Sequence, residues 1–170
     1  MRHVVLGWVI FCFSTQAIAE KPWDKFWLSH GIHQGMSEDE FNQTASDNRF
    51  TIKPLTPDSA TKIVKTAEKE YWLLFCDGRL TYASWIIDTN DELIKSLNER
   101  LNNQGFKLTS YKASSHYNDA SSEEQHQFTM RLENPEREYS VTYDIFSRNG
   151  QVTVEDTAFD DTANCVREKS

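Results

Sequence analysis

Hydrophobic and polar residues alternate along most of this chain, and the alternation gives way to helical spacing at two places. In Glu70–Cys76, Tyr71, Leu73 and Phe75 fall on one face of a strand, and Trp72, Leu74 and Cys76 fall on the other. Apolar residues on both faces predict a strand inside a sheet rather than at its edge. Asp77-Gly78 separates this run from a second β-rich run, Arg79–Asp88. That dipeptide predicts a hairpin, because Gly adopts the positive φ of a tight turn without a Cβ clash. Phe50–Leu55 and Lys62–Thr66 read as two earlier strands. A later set comprises Phe106–Ser114, Gln127–Glu133, Arg137–Ser147 and Gln151–Asp156, with Asn149-Gly150 as its own hairpin turn.

Helix signals precede each strand set. Ser37 is an N-cap with Glu40 three residues on, and Met36 and Phe41 can close a hydrophobic staple around that start. Thr89-Asn90-Asp91-Glu92 repeats the capping logic. It leads into Leu93, Leu97 and Leu101 on one stripe with Ile94 beside them, stopped by Gly105 as the left-handed residue. Pro22–His30 reads as a short helix turning Trp23, Phe26 and Trp27 inward, and the polar stretch His116–Gln125 as a flexible loop suited to function.

These elements predict an α+β class, with helices packed on an antiparallel β-sheet. The order helix then four strands occurs twice, which outlines halves at 35–88 and 89–157 and a C-terminal tail, 158–170. Either an internal duplication or the ordinary order of an α+β domain accounts for it.

The N-terminus changes the picture of where this domain works. Met1-Arg2-His3, the uncharged run Val4–Phe13 and the small-x-small pattern Ala17-Ile18-Ala19 predict a signal peptide over residues 1–19 and a single domain over 20–170. A stable membrane anchor would need roughly 20 apolar residues, more than that run supplies. Cys12 follows Phe11, where a lipoprotein signal requires a small residue, so Cys12 reads as part of the apolar run. The expected location is the periplasm or the outside of the cell.

The formal charge is −8, and cleavage after Ala19 would remove Arg2. Such an acidic surface argues against nucleic acid as a partner and permits a basic protein. Cys76 and Cys165 are the cysteines left beyond residue 19, and an oxidising compartment predicts a disulfide between them that ties the tail back. A free nucleophilic thiol would not persist there.

Catalytic signatures are missing: there is no GxSxG, HExxH, CxxC or phosphate-binding glycine loop. His30 and His33 could approach one metal, but Gly31 breaks the helix that would align them and no third ligand stands nearby. Glu155, Asp156, Asp160 and Asp161 lack calcium-loop spacing and read as a solvated acidic face. His116 and His126 read as surface residues, and Asn42-Gln43-Thr44 as a chance sequon in a helix. No catalytic residue, metal or cofactor is therefore expected. Trp72, Trp85 and Tyr82 lie on the two strands of one predicted hairpin. If they share a face, they form the candidate binding surface, since large rigid rings anchor interfaces.

The run Gly35-Met36-Ser37-Glu38-Asp39-Glu40-Phe41 resembles the motif that opens the first helix in BamE-type envelope assembly lipoproteins and in β-lactamase inhibitory proteins. That resemblance implies a non-enzymatic domain presenting a sheet to another protein. The functional expectation is a periplasmic protein-binding module, such as an inhibitor, an immunity protein or an assembly accessory. A small-ligand or hydrolytic domain of the envelope is the alternative.

Overall fold

The structure is a computed structural model and describes residues 24–57, 59–118, 123–148 and 150–163. The first helix, α1 (Glu38–Asp47), begins as its sequence dictates. Ser37 Oγ accepts the Glu40 backbone N–H at 3.2 Å, and the Glu40 carboxylate accepts the Ser37 N–H at 2.8 Å. Met36 and Phe41, which flank the cap, are both buried. Two of the four N–H groups that a helix start leaves orphaned are thereby satisfied.

Four strands follow, β1 (Thr51–Pro54), β2 (Thr61–Lys65), β3 (Glu70–Cys76) and β4 (Arg79–Ile87). After α2 (Asn90–Asn98) come β5 (Lys107–Asn118), β6 (Glu123–Glu133), β7 (Tyr139–Arg148) and β8 (Gln151–Asp160). All pair antiparallel in one eight-stranded sheet of order β1-β2-β3-β4-β8-β7-β6-β5. Each helix thus precedes a four-strand meander, and the two meanders meet along β4 and β8.

The expected α+β class, with helices packed on the sheet, is overturned. One antiparallel sheet dominates the described chain, and its helices, of 10 and 9 residues, form no continuous layer. Two local elements also differ from the sequence pattern, both toward strand. Over the described part of Pro22–His30 there is no α-helix: Trp27 pairs with His33 in an isolated antiparallel bridge, and only a 3-10 turn, Ser29–Gly31, follows. The supposed loop His116–Gln125 is largely the paired arms of the β5–β6 hairpin, in register to Asn118 opposite Glu123. Polar residues are tolerated in strands that extend past the covered core, so polarity alone did not mark a loop there.

Cross-strand register divides the sheet into two faces. The first carries Val64, Tyr71, Leu73, Phe75, Ala83, Val154, Ala158, Val141, Tyr143 and Leu132, all buried. Phe41 and Ala45 of α1, together with Phe26, Ile32 and Met36 from the irregular segment before it, complete that core. Phe41 packs on Phe75 with ring centroids 5.3 Å apart. Removing such a buried ring costs about 3–5 kcal/mol. The second face carries no helix among the described residues.

Candidate functional site

The second face holds two of the three aromatic residues singled out in the sequence. Trp72 lies opposite Ser84, and Leu74 opposite Tyr82, which in turn stands opposite Phe159. Trp72, Leu74, Tyr82, Ile86 and Phe159 are half-buried, each screened by its neighbours but covered by no described helix. Burial, and then the negative charge of Glu155, push the Tyr82 hydroxyl above its ordinary pKa. It stays a neutral hydrogen-bonding group at any physiological pH.

Trp85 does not belong to this group. It stands opposite Tyr71, on the helix-bearing face, with the two rings 5.9 Å apart and nearly perpendicular. The cause is a bulge. A regular hairpin closed by Asp77-Gly78 would place Trp85 opposite Glu70, on the Trp72 side. The pairing instead slips by one between Leu74 and Phe75, with Thr81 as the extra residue. A one-residue slip exchanges the faces of everything beyond it. The shared Trp72–Trp85 face expected from the sequence is therefore corrected, and Trp72 keeps Tyr82 as its companion.

Next to the aromatic group the second face turns acidic. Asp144 on β7 and Glu155 on β8 are direct cross-strand partners. Asp144 accepts from Gln127 at 3.2 Å and from Thr129 at 2.5 Å, while Glu155 accepts from the Ser84 hydroxyl. No Lys or Arg among the described residues forms an ion pair with either. Like charges directly opposite on one sheet face are destabilising by roughly 0.2–1 kcal/mol.

Asp156, one residue on, points the other way and is fully buried, so the segment Glu155–Asp161 is not a solvated acidic face. Asp156 Oδ1 receives Arg100 Nη1 at 2.6 Å, and its Oδ2 receives the Ser96 hydroxyl at 3.1 Å. Arg100 Nη1 also donates to the Tyr143 hydroxyl at 3.0 Å. Burial pushes the Asp156 carboxyl upward against the opposing Arg100 charge, and pushes the Tyr143 phenol up to about 12.

A helix irregularity begins beside Arg100. Glu99–Asn103 forms a π-helical turn, with Gln104 N–H donating to Glu99 O at 2.9 Å. Arg100 lies one α-helical turn after Ser96, and both reach Asp156, whereas Leu101, read as part of the apolar stripe, is left exposed. Such π turns recur at functional sites. A sequence pattern with a fixed period cannot show one.

The remaining candidates do not converge. His33 lies 4.5 Å from the Trp27 ring and bonds the Gln34 carbonyl, whereas His30 packs near Phe50. His126 pairs with Ser115 at 2.9 Å, and the His116 side chain lies outside the described residues. Asp160 caps the turn at Thr162, and Asp161 accepts from Ser140 and Arg131. No group of three metal-ligating side chains occurs among the described residues. Cys76 is disulfide-bonded, with its Sγ 3.1 Å from the Thr81 hydroxyl; Cys165 lies outside the described residues, as do residues 1–19. Among the described residues no helix is long and apolar enough to cross a membrane. Comparisons with protein-family models, with curated proteins and with solved structures find no match to this chain.

Proposed function

We propose that this chain is an exported, non-enzymatic module that binds a basic protein stoichiometrically through the sheet face bearing Trp72 and Tyr82. One observation carries the reading. Aromatic and aliphatic side chains on that face have no described helix over them, and beside them stand two carboxylates, Asp144 and Glu155, without a described cation. A Lys or Arg from a partner would relieve their mutual repulsion while its neighbours cover the aromatic group. The excess of acidic over basic residues supplies long-range attraction for the same partner.

The kinship implied by Gly35–Phe41, to BamE-type proteins and β-lactamase inhibitory proteins, is part of this proposal. So is location in the periplasm or outside the cell. Affinity capture from an envelope extract with the wild-type chain and with Trp72→Ala and Tyr82→Ala tests the surface. A basic partner retained by the wild type and lost by both folded variants supports it, and equal capture by all three removes it. N-terminal sequencing of the exported protein tests the rest. A start at Glu20 is expected, and a start at an acylated Cys12 would overturn it.

A further inference from the structure

The opposite, helix-bearing face contains a cavity of about 300 Å³ between Lys25–Leu28 and the π turn that ends α2. We propose that this cavity binds a small organic anion, a carboxylate carried on an apolar body the size of one ring. It lies on the other side of the sheet from the proposed partner-binding face and does not depend on it.

The small side chain of Ala158 on β8 lines the cavity, where a larger one would reach into the space. Phe26, Trp27 and Trp85 supply an apolar wall. Arg100, Arg137 and Gln104 supply the polar lining. The Arg137 guanidinium carbon is 5.5 Å from the Phe106 ring and 6.0 Å from the Tyr139 ring. The Arg100 carbon lies 5.8 Å from the Trp85 ring.

Charge decides what enters. Three cations, Lys25, Arg100 and Arg137, line the cavity, and among the described residues no Asp or Glu does, in a chain whose formal charge is −8. Asp156 neutralises Arg100 from behind, through Nη1 alone. Among the described residues, Nε and Nη2 of Arg100 make no hydrogen bond. A planar guanidinium with free donors beside a second guanidinium is suited to a carboxylate. The volume lies at the small end of ligand sites, which sets the size of the body. Inorganic phosphate has no apolar body to set against the Trp27 and Trp85 rings.

Titration of the exported chain with phenylacetate, phenylacetamide and inorganic phosphate tests this, read by calorimetry and by the fluorescence of the tryptophans in the wall. Phenylacetate is expected to bind saturably, with the amide at least about tenfold weaker and phosphate weaker still. Arg137→Gln should weaken the acid by about tenfold and leave the amide unchanged. Ala158→Val, which reaches into the space, should weaken both organic probes. Circular dichroism establishes that each variant folds, and either folded variant suffices. Equal affinity for acid and amide, tighter binding of phosphate, no saturable binding of the acid at millimolar concentration, or a folded variant that leaves acid binding unchanged would overturn the proposal.

Discussion

Asp144 and Glu155 stand directly opposite each other on β7 and β8, both on the face without a described helix, and no described cation pairs with either. The free protein carries this repulsion, and a basic partner would remove it. Asp144→Asn is therefore expected to raise stability slightly, by roughly 0.2–1 kcal/mol, while weakening the partner complex. Denaturant midpoints and binding curves, measured on the same preparation, check the two signs. Movement of both quantities in the same direction would mean that the pair serves structure rather than recognition.

Trp72 and Trp85 should respond differently to truncation, because they lie on opposite faces. Trp72→Ala is expected to cost the complex about 2 kcal/mol with little loss of stability. Trp85→Ala removes a ring packed on Tyr71 and against Arg100, so it should destabilise the fold by about 3 kcal/mol. Thermal melts beside binding measurements separate the two.

Arg100 and Asp156 are best examined as a pair. Asp156→Ala leaves a buried guanidinium without its counterion and is expected to cost about 3–5 kcal/mol. Replacing both at once, Arg100→Met with Asp156→Leu, should recover most of that loss, since apolar side chains of similar volume need no pairing. If the double variant is as unstable as the single, Ser96 and Tyr143 hold more of the network than the ion pair does.

The Ser37–Glu40 cap gives a pH dependence with a definite sign. The Ser37 backbone N–H, and then its hydroxyl, hold the Glu40 carboxyl below its ordinary value of 4.5. A lowered folded value means that the contribution is complete above 4.5 and disappears as pH falls through the lower folded value. Helix α1 should therefore fray first on acidification, visible as early amide exchange near Glu40. Glu40→Gln should remove the pH dependence, and Ser37→Ala should cost about 1 kcal/mol at neutral pH.

Cys76 and Cys165 are expected to be bridged. Replacing both with Ser should lower stability by about 4 kcal/mol in the chain-entropy account without abolishing the fold. Non-reducing peptide mapping of the exported protein checks the pairing directly, and two free thiols would exclude it.

Most strand positions were legible from alternation, and both helix starts from their caps, because these depend on residues within a few positions of one another. Ser37 with Glu40 is such a case, and so is the Asp77-Gly78 turn. The class was misjudged because polar arms such as Ser114–Asn118 became strand only by pairing with β6. Two local irregularities then bear on which side chains share a surface. The bulge at Thr81 moved Tyr82 onto the Trp72 face and Trp85 off it, and the apolar stripe of α2 stops at the π turn Glu99–Asn103, where Leu101 is exposed. Sequence alone determined where α1 and α2 start and where the Asp77-Gly78 turn falls, since caps and turns are local. Tertiary structure alone decided which faces those side chains occupy, because a bulge or π turn is held by packing against strands and side chains distant in the chain. The candidate binding face follows from the bulge at Thr81.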